Sequence, residues 1–141
     1  KGVRESTALK IIEKFGERVF LRGKHYFEEN NRVQDAYDGL LNKKQIKLFE
    51  KMNESGISSY YQLKNCYVSS EDEKLPRALN RVKEIDPTCY SRVHGGGFAG
   101  TIQAFVRDDA VAGYKALMDA IFGEGSCQVL KIRSVGGTKV C

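Results

Sequence analysis

Apolar residues recur over the first 86 positions at the three- and four-residue spacing of helices. Leu9, Ile12 and Phe15 share one helical face behind Ser6, a residue type that caps helix starts, and Gly16 offers a stop. From Glu17 to Leu41, the residues Val19, Tyr26, Val33 and Leu40 repeat at every seventh position, with Phe20, Phe27 and Leu41 beside them. That pattern predicts one long helix with a wide apolar stripe turned towards a core. Asn42 reads as the cap of a third helix, which carries Ile46, Phe49 and Met52 on one face and ends at Gly56. Tyr60, Tyr61 and Leu63 continue as a short helical turn. Ser70 and Glu73 form a capping box ahead of Leu75, Ala78, Leu79, Val82 and Ile85. Pro76 is confined by its ring to the first turn of that helix.

Alternation replaces the helical period after Asp86-Pro87. Cys89, Ser91 and Val93 alternate with Tyr90, Arg92 and His94, and Thr101 to Val106 alternates again. Asp108 then opens a helix bearing Val111, Tyr114, Leu117, Met118, Ile121 and Phe122. A last strand is expected from Cys127 to about Arg133, closed by Gly136-Gly137. Residues 1–86 are therefore mainly helical, and residues 87–141 read strand, glycine loop, strand, helix, strand. Such segregation predicts a single α+β domain, with helices against one face of a small antiparallel sheet.

Composition narrows the class without naming a function. A chain of 141 residues with 41% hydrophobic and 29% charged residues builds one folded domain rather than a disordered segment. The net charge of +5 comes from 23 Lys and Arg scattered among 18 acids. No basic run or aromatic-interleaved basic strand accompanies it, so nucleic acid is not the expected partner. Cys66, Cys89, Cys127 and Cys141 lie far apart with no C-x-x-C pair, which argues for free thiols and against a zinc site. No apolar run reaches the ~18 residues of a membrane span and no leader pattern opens the chain, so a cytoplasmic protein is expected. The chain begins at Lys1, as a piece of a longer protein would.

The candidate chemistry concentrates in the loop between the two alternating segments. Four of the fourteen glycines fall within Gly95-Gly96-Gly97-Phe98-Ala99-Gly100. Gly95, Gly97 and Gly100 satisfy G-x-G-x-x-G, but a dinucleotide fold needs a helix after that pattern, and here a strand follows. A strand–loop–strand also suits the phosphate flap of protein kinases, yet V-A-I-K, H-R-D and D-F-G are all missing. What remains is a tight glycine hairpin that allows close approach of a ligand or another backbone. His94 enters that loop without a carboxylate or serine partner placed by spacing. His25 falls between Arg22 and Glu29 on the long helix, as part of a surface polar network. No catalytic residue and no metal ligand is assigned to the chain.

The run from Ser91 to Gly100 resembles the third signature motif of the GHMP small-molecule kinases, in its galactokinase form R-M-T-G-x-G-F-G-G. Arg22, His25, Glu29 and Arg32 are similar to the R-x-x-H-x-x-x-E-x-x-R spacing of the same family. Phe49, Met52, Asn53 and Ser55 are similar to its F-G-x-L-M-x-x-S segment. The resemblance spans about Arg22 to Val106, in family order. It implies a ferredoxin-like α+β C-terminal domain of an enzyme that phosphorylates galactose to galactose 1-phosphate with ATP and Mg²⁺. It further implies an N-terminal kinase half as partner, with the phosphate loop and the catalytic base outside this chain. Gly95, Gly96, Gly97, Phe98, Ala99 and Gly100 would then support the ATP phosphate loop, with Arg92 and His94 flanking the cleft. By itself the chain would be inactive. The alternative is a stand-alone regulatory or small-metabolite-binding α+β module.

Overall fold

The computed structural model describes residues 5–68, 74–98, 100–132 and 134–136. Helix α1 (Glu5–Phe15) stops before Gly16, whose φ of +86° lets the chain turn directly into α2 (Glu17–Leu41). Helix α3 (Ile46–Ser58) continues without a break into a π-helical turn, Ser59–Leu63. Helix α4 (Lys74–Ile85) leads to strands β1 (Tyr90–Val93) and β2 (Ile102–Phe105), and a 3₁₀ turn (Asp108–Ala110) precedes α5 (Val111–Phe122). Two compact units emerge, Lys1–Phe105 and Val106–Cys141.

The first unit is an α+β fold around a two-stranded antiparallel hairpin, with Tyr90 opposite Phe105 and Val93 opposite Ile102. Directly opposed residues share a face, so Tyr90 and Phe105 point one way and Val93 and Ile102 the other. Phe49 of α3 packs on the first face, its ring 5.4 Å from both Tyr90 and Phe105. Val93 on the second face is buried with Cys66 and Leu75, and Ile102, Leu79, Tyr60 and Tyr67 close around them. Helices thus cover both faces of the hairpin, not one as the element order suggests. The capping pair Ser70 and Glu73 lies outside the described residues. Pro76 does fall in the first turn of α4, and Leu75, Ala78 and Val82 are its buried residues.

Three local expectations fail for physical reasons. Asn42 ends α2 instead of starting α3: its backbone N–H and its side-chain amide both donate to Asp38 O, at 3.1 and 2.7 Å. Asn serves either helix end, so the residue type alone does not give direction. Gly56 does not terminate α3. A Cβ there would stand 2.9 Å from Ser91 O and 3.1 Å from Arg92 Cβ, so the glycine brings helix and strand together. Third, the stripe Val19, Tyr26, Val33 and Leu40 points outwards, each 45–64% exposed. The inner face of α2 instead carries His25, Glu29, Arg32, Ala36 and Gly39. Gly39 is buried so close to α3 that a Cβ would lie 2.5 Å from Lys47 Cβ. Small residues there admit a second helix, which the bulky stripe would hold off.

In the second unit, Asp119 of α5 organises the chain that follows. Its carboxylate accepts from Lys115 Nζ, from Cys127 N at 2.8 Å and from Ser126 Oγ at 3.2 Å. The Lys115 ammonium and the Cys127 N–H together hold its pKa down to about 2. The strand expected from Cys127 is not formed: among the described residues the sheet has two strands only, and Leu130 and Ile132 are more than four-fifths exposed. Alternation needs a partner edge to become a strand.

Gly56→Ala is expected to destabilise the chain by about 1–3 kcal/mol in urea unfolding, because the overlap outweighs the helix propensity gained. Gly23→Ala, at a site in α2 with open space around it, should stabilise by up to about 1 kcal/mol.

Candidate functional site

Two features of the first unit meet at β1: the glycine loop that follows it and a polar network beneath Arg92. The loop leaves the hairpin at His94, whose N–H donates to Thr101 O at 2.9 Å. Gly95, Gly97 and Gly100 take φ of +66°, +76° and +85°, and Phe98 joins them at +55°. A side chain in that left-handed region costs roughly 1–2 kcal/mol, so something must hold Phe98 there.

Asn65 does so. Its carbonyl accepts from Phe98 N at 2.9 Å, and its side-chain Nδ2 donates to Gly96 O at 3.1 Å. Asn65 itself is buried. A Cβ on Gly97 would lie 2.1 Å from Asn65 O, so only glycine fits against this clamp. Gly95, Gly96 and Gly100 have nothing near the place a Cβ would occupy and leave the outer side of the loop open. The sequence offers no sign of Asn65 beyond an amide after a helix end. Ala99 lies outside the described residues. His94 is exposed, and its side chain meets no hydrogen-bond partner among the described residues.

Arg92 turns towards α2 and α3. Its NH1 stands 3.5 Å from Glu29 Oε1, and its Nε donates to Val93 O at 3.1 Å. Glu29 also accepts from Ser55 Oγ and from Arg32 Nε at 2.9 Å. Burial pushes the Glu29 carboxyl up, but Ser55, Arg32 and Arg92 outweigh it and leave the group below its ordinary value. Ser58 Oγ gives its one proton to Gln62 Oε1 at 3.1 Å and accepts from His25 Nδ1 at 2.9 Å, which sets the tautomer of the imidazole. Gln62 Nε2 then donates to Glu28 Oε2 at 3.1 Å. His25 is held below its ordinary pKa by burial, against the opposing pull of Glu29. It belongs to a half-buried network and not to the helix surface. Arg22, from the same spacing, stays exposed.

Among the described residues, no group of three or more His, Cys, Asp or Glu could hold a metal ion, and no helix is long and apolar enough to cross a membrane. Cys66 and Cys127 are free thiols. Compared with protein-family models, with curated protein sequences and with solved structures, the chain matches none.

Gly97→Ala should expel the loop from Asn65, so that the Phe98 amide exchanges with solvent at least about a hundredfold faster. Asn65→Ala keeps the backbone bond to Phe98 but loses the side-chain bond to Gly96 O, worth about 1 kcal/mol, together with the weak contact from Cys66 Sγ, and should speed exchange about fivefold.

The network also predicts a pH response. For both groups the folded pKa is depressed, so the unfolded chain binds protons first as pH falls, and stability falls with pH. The His25 part is present above its ordinary 6.5 and is lost as pH drops through the lower folded value. The Glu29 part is lost below its ordinary 4.5. Urea midpoints of His25→Gln should lose the first decline and keep the second.

Proposed function

We propose that this chain is the C-terminal lobe of an ATP-dependent small-molecule kinase of GHMP type, acting on galactose as part of a longer protein. One observation carries the reading. The three segments that resemble the family meet in one place: His25, Glu29 and Arg32 from α2, Ser55 from α3, and Arg92 at the head of the glycine loop. Segments that served one site in such a lobe would have to converge in this way, and that convergence is what supports the reading.

In this reading ATP with Mg²⁺ supplies the phosphoryl group, and a preceding lobe holds most of it. The role of this chain is positional. Gly95, Gly96 and Gly100 leave room for a phosphate-binding backbone to come close, and their N–H groups suit anionic oxygens. Asn65 fixes the loop beforehand, so that little ordering is left for the moment of binding. The described residues gather no carboxylate cluster for Mg²⁺, and its ligands fall to the other lobe in this scheme.

Galactose-dependent ADP release is expected from the protein encoded by the whole reading frame and not from residues 1–141 alone. Within the whole protein, Gly97→Ala should lower kcat by about tenfold or more while the galactose KM moves much less. Sugar-dependent turnover by the 141-residue chain, or a kcat indifferent to Gly97→Ala, refutes the proposal.

A further inference from the structure

Helix α2 turns one apolar face to water. At about 100° per residue, Val19, Tyr26, Phe27, Val33, Tyr37 and Leu41 fall within about a third of its circumference, on the side away from the buried Gly39. Each of these side chains belongs to a residue that is 53–65% exposed. The same arc carries Gly23, Asn30 and Gln34 and no charged residue. It presents on the order of 700 Å² of surface, more than the ~300–600 Å² of the largest apolar patch on a typical monomer. That is close to the ~800 Å² each partner buries in a stable pair.

The helix supplies its own complement. Its first half holds Arg18, Arg22 and Lys24 against Glu17, and its second half holds Glu28, Glu29, Asp35 and Asp38 against Arg32. Two copies laid antiparallel bring the basic half of each onto the acidic half of the other and oppose the helix dipoles, whereas a parallel pair sets like against like. A two-fold axis at Asn30 then fixes which residues meet at one height. Val19 faces Leu41 of the second copy, Phe27 faces Val33, and Tyr37 faces Gly23, which has open space where a Cβ would stand. Lys24 and Asp38 lie on the same flank and come level to within about 3 Å along the axis. Both are available: Lys24 is 3.8 Å from Glu28, and the Asp38 carboxylate accepts from Gln34 at 3.0 Å and from no cation among the described residues. Asn30 gives one amide proton to Tyr26 O at 2.8 Å. Its carbonyl and second N–H are left to pair with the same groups of the other copy, as a polar residue within an apolar seam does to set register.

We propose that the outer face of α2 seats a second copy of this chain, packed antiparallel about a two-fold axis at Asn30. Such an interface is isologous, one patch meeting itself, so it closes at two copies. The inference is independent of the kinase reading. It uses the side of α2 turned away from Glu29 and the glycine loop, and its readout involves neither ATP nor sugar.

Sedimentation equilibrium of the 141-residue chain should give a dimer with a Kd below about 10 μM. Tyr26→Glu, at an exposed side chain near the axis, should weaken association at least about a hundredfold. Asp38→Lys should weaken it about tenfold, and Lys24→Asp in the same chain should restore most of that loss, a rescue that clumping of apolar surface does not give. Cross-linking reads the register without relying on affinity. Under a mild oxidant Asn30→Cys should join its own copy across the axis, whereas Val19→Cys, about 33 Å from its mate, should link no more than the parent chain. A monomer at about 100 μM would overturn the proposal and leave the face to a segment of a longer protein. A dimer indifferent to Tyr26→Glu, or Val19→Cys joining as readily as Asn30→Cys, would overturn it equally.

Discussion

The carboxylate of Glu29 is the tie on which the first unit depends. It sits on α2, accepts from Ser55 on α3 and faces Arg92 on β1, so three elements distant in sequence answer to one group. Hydrogen bonds to a charged acceptor contribute about 1.5–3 kcal/mol each when sheltered. Glu29 keeps a quarter of its side chain in water, which puts these at the lower end of that range. Their geometric consequence is larger than their energy. With Glu29 fixed, α3 lies against β1 at the distance Gly56 permits, and the hairpin cannot slide without breaking an ionic contact.

The helical half of the chain was legible in outline because helix periodicity is local and strong. The limits of α1 and α2 at Phe15, Glu17 and Leu41, and the place of Pro76 in α4, follow from spacing and breakers alone. The side that α2 turns inward did not follow. Its bulky apolar repeat draws attention, yet the packed face carries His25, Glu29, Arg32, Ala36 and Gly39, polar at one end and small at the other. Hydrophobicity does not register such a face, because its stability comes from close approach and paired charge. A reading by side-chain volume would have found it.

The hairpin was legible and its coverage was not. Alternation placed β1 and β2 to within a residue at each end, and the glycines between them marked the loop. Nothing in the local sequence tells that the loop is fastened from outside, since Asn65 lies about thirty positions upstream and follows an unremarked helix end. The segment after α5 shows the opposite error, an alternating pattern without a strand to pair with. Both failures concern contacts between distant residues, which a one-dimensional period cannot carry.

The π-helical turn at Ser59–Leu63 sets where Asn65 faces. Lys64 N reaches back five residues to Ser59 O at 2.8 Å, so this turn holds one more residue than an α-turn would. Lys64 then takes φ +54° and ends the helix. Each α-helical residue advances the chain by about 100° around the axis. A chain shorter by a single residue anywhere in this turn could complete a regular α-helix, at a gain in local regularity. Its Asn65 would point about a third of a turn away from Gly96 and Phe98. The length of this stretch is therefore constrained along with its composition: a one-residue deletion would turn Asn65 away from the glycine loop and carry Cys66 out of the core beside Val93 and Leu75.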